Sequence, residues 1–208
     1  KLIYHSPTFG DEVRTFCMNP NGEVVQENYS GIATVNGHSY ANYKTPNTNF
    51  ALLVSEKFTE PFKEPIQYGQ HIARLANMLG GGILVQRFGD LLDGRRSTPE
   101  RIKSSVITPT LACATPGDLS LVIPYRQMTS IIEMLQALDK IAPGTASRYT
   151  LLYGIEVKFY SARVKLTNEL ETEGVKNLFT IGDGAGVTRG LLQASASGVY
   201  VARTICER

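Results

Sequence analysis

The sequence predicts an α+β protein, and three observations carry that class. Strand-like segments dominate residues 1–58 and return at 147–167. Two stretches of helical periodicity lie between them, and a strand–turn–helix pattern closes the chain at 178–203. The expected organisation is a β-rich domain begun by residues 1–58 and resumed by 147–173, a helical insertion at 59–146, and a separate C-terminal strand–helix piece at 174–208. The sheet should be mixed or antiparallel.

Residues 13–18 (VRTFCM) read as a strand. Asn19-Pro20-Asn21-Gly22 reads as a hairpin turn and residues 23–26 as its partner. A second Asn-Gly, Asn36-Gly37, is flanked by residues 32–35 and 38–40, which predicts a second hairpin. The continuous apolar run 50–55 (FALLVS) suits a strand buried on both faces. Beyond Pro61 and Pro65 the period changes: Tyr68, Ile72, Leu75, Ala76 and Leu79 mark one face of a helix that Gly80-Gly81-Gly82 ends.

Residues 85–105 are polar and basic, with Arg87, Arg95, Arg96, Arg101 and Lys103. They read either as an anion contact or as a solvated loop with a short helix starting at Ser97-Thr98-Pro99-Glu100. Asp90, Asp93 and Glu100 dilute the field and favour the second reading. After a proline-containing loop at 106–118, the stripe Met128, Ile131, Ile132, Leu135, Leu138 and Ala142 predicts a helix over 125–142, stopped by Pro143-Gly144. Met128 and Met134 read as core filling rather than a ligand groove. Ile155, Val157, Phe159 and Ser161 alternate with Glu156, Lys158, Tyr160 and Ala162, the period of a strand, and 168–176 reads as a turn.

A hydrophobic share of 42% and a charged share of 19% are those of a soluble globular protein. The net charge is +2 and no basic block marks a nucleic-acid footprint. No apolar run approaches the roughly 20 residues that span a bilayer. Neither nucleic acid nor membrane is therefore expected as a partner. Cys17, Cys113 and Cys206 make neither a disulfide framework nor a zinc pattern. They read as reduced, partly buried thiols of a cytoplasmic protein. With only His5, His38 and His71, a histidine-based metal site is not expected. The start, KLIYHSP, reads as the interior of a longer protein.

The most specialised stretch is LFTIGDGAGVTRGLLQASASGVYVAR, residues 178–203. Its apolar run ends at Gly182-Asp183-Gly184, where glycines permit close approach to the backbone and a helix N-terminus offers N–H groups. Gly190, Ala194, Gly198 and Ala202 recur every four residues and predict a ridge of small side chains. Ser195 and Ser197 read as packing residues. The sequence has no P-loop, no G-x-S-x-G and no H-E-x-x-H.

This stretch resembles the C-terminal segment of FAD-dependent dehydrogenases with the glutathione-reductase-type flavin fold, above all the largely uncharacterised bacterial and archaeal ones. The resemblance extends through TFCMNPNGEVV, FALLVS and QRFGDLLDGRRST. It implies that the chain is the C-terminal, substrate-side portion of a flavin oxidoreductase, and that residues 174–208 belong to an FAD-binding α/β domain. Asp183 would then bond the ribityl chain of FAD. Gly182, Gly184, Ala185, Gly186, Thr188, Arg189 and Gly190 would line the cofactor, and the small-residue ridge would face the flavin domain. The family also carries an N-terminal GxGxxG half, which this sequence lacks. That half is thus an expected partner, with an unidentified small-molecule substrate. Related chains often carry a second Cys at Asn19 and a Gly at Asn21, so the sequence assigns Cys17 no redox role.

No catalytic group is fixed by these patterns. Tyr160, Arg163 and His38 are candidates. One charge-assisted hydrogen bond supplies roughly 1.5–3 kcal/mol, and even millimolar binding needs about 4 kcal/mol. The chain by itself is therefore expected not to retain FAD. The alternative reading is a non-enzymatic domain that binds a protein or an anion and never holds the flavin.

Overall fold

The computed structural model describes residues 1–158 and 163–207. In chain order its elements are β1 (Ile3–His5), β2 (Glu12–Asn19), β3 (Glu23–Tyr29), β4 (Ile32–His38), β5 (Asn49–Val54), α1 (Pro65–Gly80), β6 (Leu84–Arg87), α2 (Phe88–Leu92), α3 (Pro99–Lys103), β7 (Thr115–Pro116), α4 (Tyr125–Asp139), β8 (Leu151–Gly154) and α5 (Leu191–Cys206), with 3-10 turns at Leu119–Leu121 and Asp183–Ala185. The class is α+β as expected. The chain forms two units, Lys1–Val157 and Lys158–Arg208.

In the first unit, sheets ordered β1-β2-β5 and β7-β6-β8 accompany the two-stranded ribbon β3-β4. Only β6–β7 is parallel. Helix α4 organises the packing because it is apolar on two sides. Met134 and Leu138 meet Val13, Phe50, Leu52 and Val54 of the first sheet, while Met128 and Leu135 join Ala76, Leu84, Phe88 and Leu119 in a second cluster. Both methionines are buried core, as the sequence implied. Arg126 of α4 grips Asp11 in the β1–β2 connection through two hydrogen bonds of 2.6 and 2.8 Å. Its guanidinium holds the Asp11 carboxyl below the usual range, Ser130 helping in the same direction.

Several expectations are corrected. Residues 13–18 and 23–26 do not form a hairpin: β2 pairs with β1 and β5, and β3 pairs with β4. The turn at 19–22 passes the chain from one sheet to another. The hairpin turn is Ser30-Gly31, whose φ values of 52° and 82° are the two left-handed residues of a type I′ turn. Asn36-Gly37 lies inside β4, where the missing Cβ of Gly37 admits the side-chain amide of Asn49. Strand β5 is half-buried throughout rather than buried on both faces, because it is an edge strand.

Helix α1 has the expected end, with Gly81 left-handed at φ 68° and its N–H bonded to Asn77 at 2.7 Å. Helix α4 stops at Asp139, three residues earlier than expected. Asp139 Oδ1 there accepts the Gly144 and Ala146 N–H groups at 2.8 and 2.9 Å. The segment 85–105 opens with a buried central strand, β6, and not with a loop. Residues 155–158 are not strand; β8 comes before them and pairs with β6 from Leu151↔Arg87 to Gly154↔Leu84. The remainder of that expected alternation, 159–162, lies outside the described residues.

One side chain hydrogen-bonds helix α1 to β4. Asn77 Oδ1 accepts the Ala33 N–H at 2.8 Å, and its Nδ2 donates to the Ala33 carbonyl at 2.9 Å. Alanine at 77 strands both backbone groups, so Asn77→Ala should cost about 1–3 kcal/mol. Urea unfolding of the variant against wild type measures this as a lowered midpoint at unchanged slope.

Candidate functional site

Among its described residues the second unit has little regular structure before α5. The expected strand at 178–181 is reduced to one antiparallel bridge, Glu171↔Phe179. A strand needs a neighbouring ladder, and among the described residues of this unit only 166–172 offer one. From Gly182 the chain makes the 3-10 turn Asp183–Ala185, loops through residues 186–190 and enters α5. All eight expected cofactor residues thus fall in one loop.

Glycine conformation shapes this loop. Gly182, Gly186 and Gly190 have φ of 73°, 68° and 130°, values an L side chain rarely adopts. Asp183 is exposed, and its carboxylate closes the loop on itself. Oδ1 accepts from Thr188 Oγ1 at 2.6 Å, and the Gly190 N–H reaches Oδ2 at 3.0 Å and Oδ1 at 3.2 Å. A carboxylate has about four acceptor positions, so these contacts leave room for a further hydroxyl.

Helix α5 begins at Leu191, has no side-chain cap, and makes its first i→i−4 bond from Ala194 to Gly190 at 3.0 Å. The N–H groups of its first turn therefore lie at the positive end of a 16-residue helix, beside the Asp183 loop. A Cβ at Gly184 would meet nothing within 4 Å, so the backbone is open to close approach there. Thr188 points into the loop through its hydroxyl, and Arg189 is exposed.

Ser197 has a role that the sequence reading missed. Its Oγ accepts the Gly182 N–H at 3.1 Å and donates to the Ala194 carbonyl at 2.7 Å, fixing the start of the loop to the helix. No local signal marks it: a serine in a small-residue helix reads as packing until Gly182, fifteen residues earlier, is in place.

The small-residue ridge is also corrected. Its face of α5 meets the chain's own residues 181–182: Gly182 lies against Ala194, and Gly198 against Ile181. The inner stripe is Ala194, Ser197, Gly198 and Val201, while Ala202 is exposed. A four-residue repeat advances by about 40° per step on a helix with 3.6 residues per turn, so the fourth small residue has rotated off the face. The apolar surface left open is the other side of α5. Leu191 and Leu192 are 90% and 81% exposed, and Val199 and Tyr200 accompany them.

Of the catalytic candidates, His38 is exposed at the end of β4, its ring 5.9 Å from that of Tyr40. Arg163 is exposed in the second unit, and Tyr160 lies outside the described residues. The three cysteines are exposed rather than partly buried, and none is in a disulfide among the described residues.

A family model described as "FAD-dependent protein, C-terminal domain-like" matches residues 1–159. The chain belongs to this family. The match ends beside the boundary of the first unit at Val157, so family domain and structural unit agree. An uncharacterized protein of Clostridium beijerinckii is 32% identical over 220 residues, an alignment that covers all of this chain and 40% of the relative. The chain therefore spans less than half the length of that curated relative, and the Asp183 loop lies in the aligned part.

Proposed function

We propose that this chain is the C-terminal portion of a cytoplasmic FAD-dependent oxidoreductase, a dehydrogenase. Its first unit forms the substrate side, and residues 182–190 contact the ribityl chain and flavin. The observation that carries this reading is the Asp183 loop. A carboxylate with unused acceptor positions is held at an uncapped helix start, between left-handed glycines and beside two solvent-facing leucines. The family of the chain supports it.

These residues fit the cofactor. Asp183 would accept a ribityl hydroxyl, and Gly184 would let the backbone lie against the ligand. The first-turn N–H groups of α5 would favour negative charge, and Leu191 and Leu192 would exclude water from that end. When bound, FAD supplies the electron-transfer chemistry. The chain's own part is to bind it, orient it and set the local field. A GxGxxG half, outside these 208 residues, would hold the ADP end.

Flavin content tests the proposal. Full-length protein should purify yellow, with close to one equivalent of FAD, while residues 1–208 alone should be colourless. A colourless full-length protein that takes up no added FAD would favour the non-enzymatic binding domain instead. Stoichiometric flavin on residues 1–208 would show that the other half is not needed.

A further inference from the structure

The first unit contains a second, unrelated feature: a cleft of about 410 Å³ between the end of α1, the 93–96 loop and the 115–121 segment. We infer that it is a binding site for a small organic carboxylate with an apolar body. Leu84 forms its floor, Leu79 and Leu121 form an apolar rim that is 45% and 66% exposed, and Arg95, Arg96 and Asp118 supply its charges.

What distinguishes this cleft from a solvated basic loop is how it is braced. Gln86 is fully buried, and its amide ties both walls together. Nε2 donates to the Arg95 carbonyl at 2.9 Å and to Asp118 Oδ1 at 3.3 Å, while Oε1 accepts the Leu119 N–H at 2.8 Å. Ser97 N–H donates to the Gly117 carbonyl at 3.0 Å, joining the walls a second time. Arg95 is aimed from behind: its Nε bonds buried Asp90 at 3.0 Å and its Nη2 meets Asp93 at 3.1 Å. Buried polar groups are costly unless satisfied, and here their bonds preorganise Arg95 beside apolar surface, with Arg96 next to it in the same loop.

Charge selects the ligand. Arg96 is exposed, and its side chain has no hydrogen bond or ion pair among the described residues, although its charge is felt by Glu100. Arg95 keeps free N–H groups after its two contacts. The Asp118 carboxylate keeps its charge and is held by hydrogen bonds from Gln86 at 3.3 Å and from the Ser120 N–H and hydroxyl at 2.9 and 2.7 Å. One remaining negative charge in the cleft favours a monoanion over a dianion. Two planar guanidinium groups suit a carboxylate, and the leucines suit an alkyl or aryl body.

The test is an amide NMR titration of the 208-residue chain with hexanoate, acetate and inorganic phosphate. Hexanoate should bind most tightly and move the amides of Arg95, Arg96, Gly117 and Asp118. Arg96→Gln should weaken it by at least about tenfold, the effect of losing one charge-assisted contact. Lys140→Gln, which removes a positive charge from the exposed end of α4, should leave it unchanged. Three results would each overturn the inference: no saturable hexanoate binding, phosphate binding as tightly as hexanoate, or Arg96→Gln binding like wild type. None of them depends on whether the full-length protein holds flavin.

Discussion

Asp183→Ala in the full-length protein is expected to weaken FAD binding by roughly 10- to 150-fold, the equivalent of one charge-assisted hydrogen bond of about 1.5–3 kcal/mol. The protein should purify with substoichiometric flavin that is restored by excess FAD. The geometry adds a complication: Asp183 also anchors the Thr188 hydroxyl and the Gly190 N–H, so alanine loosens the loop as well as deleting a ligand contact. Two further variants separate these effects. Thr188→Val removes one anchor and keeps the carboxylate, so flavin affinity should fall only slightly. Asp183→Asn keeps one carbonyl oxygen for Gly190 but loses the charge, so it should resemble alanine in flavin affinity. If Thr188→Val loses flavin as completely as Asp183→Ala, the carboxylate acts by shaping the loop; if Asp183→Ala retains full flavin, the ribityl role is wrong.

How much of this could be read in advance depended on whether a residue's partner was local. Helices α1 and α4 were legible because their stripes lie within their own segments, as with Ile72 and Ala76 or Met128 and Leu135, and α1 also ends at its own glycine, Gly81. Pairing of the strands was not. Asn36-Gly37 has the composition of a turn, yet Gly37 is extended because Asn49, twelve residues later, needs the space of its Cβ. The true turn, Ser30-Gly31, carries the weaker signal. Strand β6 was hidden for a related reason: Gln86, Arg87 and Asp90 read as solvated until their partners at 95, 97, 118 and 119 are in place. In the loop, Asp183 and its glycines were visible as a local pattern. Ser197, which fixes Gly182 from fifteen residues away, was not. The carboxylate cleft was equally invisible, since it combines a helix end at Leu79 with residues up to Leu121.

The same long-range polar network makes Asp90 the residue whose loss should cost the first unit most. Its side chain is fully buried, yet it takes hydrogen bonds from Arg95 Nε at 3.0 Å and Ser97 Oγ at 2.8 Å, and lies 3.8 Å from Arg87 Nε. Ser97 in turn accepts the Arg87 N–H at 2.8 Å. Arg87 is itself largely buried, with Nη1 donating to the Arg101 carbonyl at 3.2 Å and its guanidinium 5.3 Å from the Tyr149 ring. Asp90→Ala therefore leaves a buried guanidinium without its counter-charge, a loss of about 3–5 kcal/mol. Arg95, half exposed, keeps Asp93 and water and should contribute little to that loss. Asp90→Asn should cost nearly as much, because it removes the charge and turns an N–H group toward donors. Urea unfolding of the two variants measures the effect. Adding Arg87→Met to Asp90→Ala should recover much of the stability, since deleting both members of a buried pair removes the uncompensated charge that deleting one creates. A loss under about 1 kcal/mol for Asp90→Ala would mean that Arg87 finds water in the folded state, and that the β6–α2 network is held by packing of Phe88 and Leu91 rather than by its charges.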